Sequence, residues 1–245
     1  MDTTLNYSPN FETKKRKSHH IKFIIFHYTG MEKESEAIKR LTNINSKVSS
    51  HYLIKNNGEI VIMVPDLYEA WHAGISSWKN FKSLNKNSIG IEISNPGHNS
   101  NYKNFSKKQI QSLKKLSKIL IEKYKINQNN ILGHSDIAPD RKKDPGEKFP
   151  WKYLAKFEIG KWHSLPRKTL LKNRKKKISY VDKKNFYLNL TKIGYPIKSL
   201  NKIKKDKFLK YLIIAFQRRF RQELINSKID QECLLISQNL AKELN

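Results

Sequence analysis

The first half of the chain alternates between strand-like and helix-like patterns of apolar residues. The apolar run Ile21–Phe26 has the length of a strand and the composition of one that is buried on both faces of a sheet. Two further runs, His51–Ile54 and Glu59–Val64, are rich in β-forming residues and flank a Lys-Asn-Asn-Gly turn signal at 55–58. These segments predict a buried strand and a β-hairpin.

A further strand and two helices are predicted downstream. In Ser88–Ile93, isoleucines alternate with smaller or polar residues, and Glu92 faces away from them. Residues 34–43 carry one apolar helical stripe, and a longer helix begins at Ser106, where Gln109 completes a capping box. The stripe of this longer helix consists of Ile110, Leu113, Leu116, Leu120 and Tyr124. The alternation predicts an α/β fold with a mixed central β-sheet flanked by helices.

The composition changes after about residue 162. Residues 163–178 are basic and have little apolar periodicity, which predicts a linker. Residues 179–245 predict a small helical domain, with part of one helical stripe between Cys233 and Leu240. Its longer stripe consists of Phe208, Tyr211, Leu212, Ala215, Phe216 and Phe220. The predicted division is an N-terminal extension at 1–20, an α/β domain at 21–162, the linker and the helical domain.

Composition narrows the class of protein. A hydrophobic fraction of 38% in 245 residues supports a folded core, and the lone Cys233 excludes an intrachain disulfide and a cysteine zinc cluster. No apolar run is long enough for a transmembrane segment. Residues 1–20 lack the apolar region of a signal peptide, which predicts a cytoplasmic protein or export by another route. The sequence does not fix the oligomeric state.

The net charge of +28 raises the question of an anionic partner. Residues 166–210 hold 16 lysines and arginines against two acidic residues, so half of the excess charge lies in that stretch. A solvated basic face is the simplest interpretation, and adhesion to an anionic polymer or membrane is the second. Specific nucleic-acid binding is not expected, because the lysines are spread along the chain and no nucleic-acid-binding motif is present.

Candidate metal ligands occur in two segments. The Pro- and Gly-punctuated segment Gly133–Gly146 contains His134 and Asp144, and His27 follows the first buried strand. Two histidines and one carboxylate are the protein ligands of a catalytic zinc ion that keeps its fourth position open. Separate structural roles for the two histidines are the alternative. The specific loop chemistry around His134 favours a zinc site.

Hydrolysis at such a site also needs groups that move protons and stabilise developing charge. Glu92 is the candidate base, because a carboxylate on the polar face of a buried strand is costly unless it serves a site. Lys142 lies two residues before Asp144 and is the candidate for stabilising an oxyanion. The alternative for Lys142 is that it is one of 49 basic residues with no special role.

Five sequence blocks carry a family resemblance between residues 20 and 160. They are Phe26–Thr29, Ser49–Ile54, Ala70–Gly74, Asn87–Glu92 and Gly133–Gly146. In these blocks the chain resembles the zinc-dependent N-acetylmuramoyl-L-alanine amidases of the amidase-2 family, which share the fold of peptidoglycan recognition proteins. The resemblance implies cleavage of the amide between N-acetylmuramoyl or anhydromuramoyl residues and L-alanine of peptidoglycan stem peptides.

The same resemblance implies roles for individual residues. His27, His134 and Asp144 are expected to bind one Zn²⁺, Glu92 to activate water and Lys142 to stabilise the tetrahedral intermediate. The expected partner is peptidoglycan or a muropeptide. Four residues are predicted to contact substrate, and His51 is predicted to be structural. The four predicted contacts are Trp71, His72, Asn95 and Arg141; for Trp71 a place in the core is the alternative.

The C-terminal unit resembles a small helical peptidoglycan-binding domain. The segments that carry the resemblance are 193–196, 215–220 and 229–230, although the glycine usual before the aspartate is absent. A purely structural appendage is the alternative. A wall-binding domain, together with the opening segment Asn6–Phe11, which resembles one branch of the family, points to the cell envelope. That expectation conflicts with the missing leader, and polymer and soluble fragments both remain open as substrates.

A protein that binds muropeptides without hydrolysing them is the alternative function. Non-catalytic members of this fold typically lack a zinc ligand, whereas all three ligand positions are filled here. The sequence therefore favours an enzyme.

Overall fold

The computed structural model describes residues 2–197 and 202–243. The first residue of the predicted N-terminal extension, and residues 198–201 and 244–245 of the predicted helical domain, lie outside that part. In the described part, the strands are β1 (Thr3–Leu5), β2 (Phe11–Glu12), β3 (Phe23–Tyr28), β4 (Tyr52–Ile54), β5 (Ile60–Ile62), β6 (Glu69–Ala70), β7 (Ser77–Trp78), β8 (Phe81–Lys82), β9 (Ser88–Ile93) and β10 (Ile131–Gly133). The helices are α1 (Glu34–Thr42), α2 (Lys107–Tyr124), α3 (His134–Ile137), α4 (Trp151–Ala155), α5 (Arg167–Asn173), α6 (Tyr180–Ile193), α7 (Lys202–Phe220) and α8 (Gln231–Lys242).

A mixed sheet forms the centre of the structure and confirms the predicted α/β class. Its strands lie in the order β1-β5-β4-β9-β3-β10, with β4 and β5 antiparallel and the other neighbours parallel. The β4–β5 pair is the predicted hairpin. It turns at Gly58, which has a φ of +88° and donates its N–H to the Lys55 carbonyl oxygen at 2.9 Å.

Strand β3 separates two hydrophobic cores, as its apolar run predicts. Ile24 and Phe26 face the core that contains the buried stripe of α2. Phe23 and Ile25 face the opposite core, which includes the C-terminal helices. The strand begins at Phe23 and continues to Tyr28. Alternate side chains of a strand point to opposite faces, so His27 lies on the same face as Phe23 and Ile25.

Helix α2 begins where its capping box predicts. The N–H of Gln109 donates to Ser106 Oγ at 3.1 Å, and the N–H of Ser106 donates to Gln109 Oε1 at 2.9 Å. These two bonds satisfy backbone and side-chain groups that the helix end would otherwise leave open. Most of the predicted stripe is buried against the sheet, although Ile110 and Tyr124 are only half-buried.

The C-terminal helices share their core with the second face of the sheet. Trp78 packs against Tyr195 with ring centroids 4.9 Å apart, and Phe186 packs against Phe216 at 5.2 Å. The stretch predicted to be a linker contains helix α5, whose Leu170 is buried in the same cluster. The apolar pattern of this short helix is weak because Leu170 is its one buried residue. Within residues 2–197 and 202–243, no helix has the length and apolar character needed to cross a membrane.

Candidate active site

Three polar side chains from separate segments meet near the carboxyl ends of two adjacent parallel strands. His27 lies on β3, His134 directly follows β10, and Asp144 comes from the segment after α3. Nδ1 of His27 is 2.9 Å from Nδ1 of His134, and Oδ2 of Asp144 is 3.0 Å from both nitrogens. All three residues are buried. The structure thus brings together the three predicted metal ligands as a candidate metal site.

The segment that supplies two of these side chains is held by its own hydrogen bonds. The sequence predicted a loop after β10, but a single helical turn, α3, forms there. The Gly133 N–H donates to Asp136 Oδ2 at 2.8 Å, and this caps the turn. The Ser135 N–H donates to the carbonyl oxygen of Asp144 at 2.8 Å. That bond fixes the position of Asp144 relative to His134.

The outer nitrogens of both histidines are engaged by one short segment. His27 Nε2 lies 3.0 Å from His72 Nδ1, and His134 Nε2 lies 3.1 Å from the carbonyl oxygen of Ala73. A carbonyl oxygen only accepts, so Nε2 of His134 carries the proton. Nδ1 of His134 therefore presents its lone pair to the cluster.

Burial lowers the pKa of His27, whereas the neighbouring histidines lower the pKa of Asp144 against the effect of burial. Desolvation, followed by the nearby His134, lowers the pKa of His27 to about 4. For Asp144, burial alone would raise the pKa. The charge of His134 and the close contacts of both imidazoles with the carboxylate outweigh it, so the pKa of Asp144 lies well below its usual range. Neutral imidazoles and an ionised carboxylate are the forms that bind a metal ion.

The ligand atoms fit a small divalent cation. Tetrahedral zinc with ligands at 2.0–2.1 Å places those ligands about 3.3 Å apart. The observed separations of 2.9 and 3.0 Å are slightly shorter. Each of the two nitrogens and the carboxylate oxygen can offer a lone pair, and a bound cation would take the place of any proton shared between them. The donor set therefore fits the metal that the family resemblance implies.

Glu92 lies beside the cluster on the neighbouring strand. It is the register partner of His27 in the β3–β9 ladder, and its Oε2 is buried without a hydrogen-bond partner in the described part of the chain. Burial, and then the charge of Asp144, raises the pKa of Glu92 to about 8, against the opposing charges of Lys142 and Arg40. An orphaned buried acceptor of this kind marks a place for a water or ligand that can donate a proton.

The cluster opens into a cleft of about 420 Å³. Lys142, Trp71 and Arg141 line this cleft, as do the metal-ligand residues and Glu92. Trp71 is half-buried and its Nε1 donates to Glu12 Oε1 at 3.2 Å. Arg141 is exposed and donates to the carbonyl oxygens of Ala73 and Ile75. The indole and guanidinium groups thus lie at the cleft wall, where a ligand can meet them.

Two of the predicted substrate contacts have other partners. Asn95 is 2% exposed; its Nδ2 donates to the Lys103 carbonyl oxygen at 2.8 Å and its Oδ1 accepts from the Gly97 N–H at 3.1 Å. Its amide shapes the 95–103 loop and is not free to meet a ligand in this conformation. His72 borders the cleft, but hydrogen bonds within the protein engage both of its ring nitrogens.

The cleft also has members that the sequence did not single out. Arg40 from α1 and Tyr28 from β3 line it, and Lys143 adds a further positive charge. Arg40 is one of 49 basic residues, and only the position of α1 distinguishes it. Tyr28 could have been proposed as a cleft residue from the sequence, because it directly follows His27. The basic lining suits an anionic ligand.

Histidines and a carboxylate at the ends of parallel strands, with a buried acid beside them and a lysine at the cleft, are an arrangement typical of metal-dependent hydrolases. The N-acetylmuramoyl-L-alanine amidase family model matches residues 17–147. N-acetylmuramoyl-L-alanine amidase AmiD of Escherichia coli is 36% identical over 235 residues, which cover 91% of this chain and 83% of that protein. The chain belongs to the N-acetylmuramoyl-L-alanine amidase family.

Two solved structures extend the similarity to the C-terminal helices. The complex of AmiD from E. coli with anhydro-N-acetylmuramic acid-L-Ala-D-γ-Glu-L-Lys has a TM-score of 0.81 at 34% identity, over 95% of this chain and 92% of that one. AmpDh3 of Pseudomonas aeruginosa in complex with anhydromuramic pentapeptide has a TM-score of 0.80 at 29% identity, over 98% of both chains. The chain is thus an enzyme that hydrolyses the amide between N-acetylmuramoyl residues and L-alanine of peptidoglycan, in cell-wall turnover.

Proposed function

We propose that the chain binds one zinc ion through His27, His134 and Asp144 and hydrolyses anhydromuramoyl peptides with Glu92 and Lys142 as catalytic groups. The observation that carries this proposal is the convergence of three ligand atoms within 3.0 Å of one another, beside the Oε2 atom of Glu92, which is buried without a hydrogen-bond partner among the described residues. A bound zinc ion supplies Lewis acidity to the substrate carbonyl and to the attacking water.

The residues around the ligands divide the remaining work. Glu92 takes a proton from the attacking water and returns it to the leaving nitrogen, a role that suits a carboxyl group whose pKa is raised to about 8. The ammonium of Lys142 donates a hydrogen bond to the oxygen that becomes negative when the carbonyl is attacked. Arg40, Arg141 and Lys143 also line the cleft, so this developing charge meets a basic surface.

Substrate recognition is assigned to the cleft wall. Trp71 offers an aromatic face to the sugar ring, and Arg141 offers a cation to a carboxylate of the stem peptide. AmiD and AmpDh3 have been crystallised with anhydromuramic peptides, and their similarity to this chain supports soluble fragments as substrates. Asn95 supports the loop and is left out of the recognition set.

The C-terminal helices are proposed to stabilise the sheet and to hold wall polymer on their outer surface. Their inner surface packs against the sheet in a common hydrophobic core. Their outer surface carries exposed apolar side chains, including Tyr180 and Val181 of α6, and the exposed Lys183 and Lys184 follow them in the same helix. Pelleting of zinc-free protein with purified sacculi measures this binding without turnover, and sedimentation equal to that of a neutral bead control contradicts it.

The activity is tested on two substrates. Zinc-depleted and zinc-reconstituted protein is incubated with intact sacculi and with soluble anhydromuramoyl tripeptide, and the products are identified by mass spectrometry. We expect zinc-dependent release of free peptide from the soluble substrate, and loss of that release in His134→Ala. Turnover that is equal with and without zinc contradicts the zinc mechanism. Tight binding without product, from either substrate, supports the alternative of a non-hydrolytic binding protein.

A further inference from the structure

Behind the candidate metal site runs a buried chain of hydrogen bonds. His27 Nε2 lies 3.0 Å from His72 Nδ1, His72 Nε2 lies 3.2 Å from Ser88 Oγ, and Ser88 Oγ lies 2.6 Å from the Leu84 carbonyl oxygen. His27, His72 and Ser88 are 1%, 8% and 0% exposed. The chain therefore leads from a metal ligand into the interior of the protein.

The proton positions along this chain are determined by its last member. A carbonyl oxygen only accepts, so the hydroxyl of Ser88 donates to Leu84 and its oxygen accepts from Nε2–H of His72. Nδ1 of His72 then carries a lone pair and accepts from Nε2–H of His27. Nδ1 of His27 is thereby left without a proton and faces the other ligands. This tautomer of His27 satisfies every hydrogen bond of the chain from His27 to Leu84, and it is the one that binds a metal through Nδ1.

The peptide that carries His72 is itself fixed. Asn85 Oδ1 accepts from the N–H groups of both His72 and Ala73, at 3.2 and 2.7 Å. The carbonyl oxygen of Ala73 in turn accepts from His134 Nε2 at 3.1 Å. Residues 72 and 73 therefore hold the outer nitrogens of both histidine ligands, and Asn85 holds residues 72 and 73.

Strand β9 is shaped to admit the imidazole of His72. A Cβ at Gly90 would lie 2.4 Å from Cγ of His72, closer than such atoms approach in proteins. Ser88, Gly90 and Glu92 share the face of β9 that is turned toward this ring. The strand therefore provides a hydrogen-bond acceptor at position 88 and space at position 90.

We propose that His72 is a positioning residue that sets the tautomer and orientation of His27 for zinc binding, with Ser88 and Asn85 as its supports. The inference rests on the proposed zinc-dependent function. It gives the sequence-predicted substrate contact His72 a different task, because both of its ring nitrogens are already engaged. Outer hydrogen-bond partners of metal-bound histidines typically contribute about 10- to 100-fold to metal affinity.

The test compares two substitutions at position 72, which separate the effect of the ring volume from that of the hydrogen-bond acceptor. His72→Phe keeps the volume of the ring and removes the acceptor, whereas His72→Asn loses volume and keeps an acceptor close to the place of Nδ1. We expect His72→Phe to lower zinc affinity, measured by competition with a chromogenic chelator, by about 10- to 100-fold. His72→Asn should retain most of the affinity. The matched control is His163→Phe, because His163 is also 8% exposed but lies outside the cleft.

A packing role for His72 predicts the reverse order of affinities, because Asn leaves the larger cavity. Equal zinc affinities for wild type and His72→Phe also overturn the proposal. A second readout uses zinc-free wild-type protein and Ser88→Ala: ¹⁵N NMR of the imidazoles should show Nε2-protonated His27 in the wild type and a mixture in Ser88→Ala. A wild type in which Nδ1 of His27 is protonated contradicts the inference. This readout needs no bound zinc and no turnover, so it separates failure of this inference from failure of the proposed function.

Discussion

Arg219 on α7 forms a buried ion pair with Asp136 on α3, the turn that begins with His134. Nη1 of Arg219 lies 2.5 Å from Oδ2 of Asp136, and the two side chains are 4% and 1% exposed. The guanidinium also stacks on the ring of Trp151, 4.1 Å from its centroid, and Tyr195 donates its hydroxyl to Oδ1 of Asp136 at 2.7 Å. The C-terminal helices thus hold the carboxylate that caps the turn beginning with His134.

Removal of this guanidinium should destabilise the whole protein. In Arg219→Met, the carboxylate of Asp136 stays buried without its cation, and loss of one partner of a buried pair costs about 3–5 kcal/mol. Urea unfolding followed by circular dichroism measures the free energy of unfolding. Arg167→Met is the control, because the Arg167–Glu223 pair is exposed and contributes at most about 1 kcal/mol. An equal decrease in the free energy of unfolding for the two variants would show that the buried ion pair stabilises the protein no more than the exposed one.

The sequence was sufficient to predict the central elements and the three residues that meet at the candidate metal site. Strand β3 and helix α2 follow from patterns that are complete within a few residues, namely an apolar run and a capping box. His27, His134 and Asp144 occur in short motifs whose chemistry is visible without the fold. For these features, the residue types that the local pattern favours are also the ones that the packing of the fold needs.

Other features depend on pairings that no local pattern contains. Arg219 and Asp136 are 83 positions apart, and nothing in the basic α7 sequence distinguishes this arginine from its neighbours. Asn95 is predicted to be a substrate contact, and in the structure its amide bonds Lys103 and Gly97 within a loop. Helix α5 was missed because its burial comes from the other C-terminal helices. In each case the partner, and not the residue itself, decides the role.

Substitution of the proposed proton-transfer residue should separate catalysis from zinc binding. In Glu92→Gln, the side chain keeps its shape but no longer accepts a proton, so kcat on anhydromuramoyl tripeptide should fall by about 10²- to 10⁴-fold. Zinc affinity should stay at the wild-type value, since Glu92 is not in the ligand set. The exposed Glu122→Gln on α2 serves as the control with unchanged kcat. Wild-type turnover in Glu92→Gln would assign the proton transfer to another group.

The lysine at the cleft should matter for turnover more than for binding. In Lys142→Met, the aliphatic stem remains but the developing oxyanion loses a hydrogen-bond donor, which typically costs about 10²- to 10³-fold in kcat. KM should change little, because the charge on the oxygen is small before attack. Lys115→Met, on the exposed side of α2, provides the charge-matched control. A change confined to KM in Lys142→Met would instead indicate that Lys142 contacts the bound substrate.

Acid should lower the stability of the folded protein through the buried His163. Burial, followed by the charge of Lys152, lowers the pKa of His163 from 6.5 to about 4. Below pH 6.5 the unfolded chain binds a proton at this position and the folded chain does not, so the free energy of unfolding falls as the pH drops from 6.5 toward 4. His163→Phe removes this contribution. Urea unfolding at pH 7.5 and pH 4.5 should therefore show a smaller loss of stability in the variant, and identical losses would contradict the pKa shift.

The last prediction concerns the space that β9 leaves for His72. In Gly90→Ala, the new methyl group would lie 2.4 Å from Cγ of His72, so the ring must move away from Ser88 and from His27. We expect both a lower free energy of unfolding and weaker zinc binding. Ile89→Val is the control: Ile89 points to the opposite core, so its loss of one methylene costs about 1 kcal/mol and leaves zinc affinity unchanged. If Gly90→Ala lowers stability but retains wild-type zinc affinity, the position of the His72 ring does not govern how His27 meets the metal.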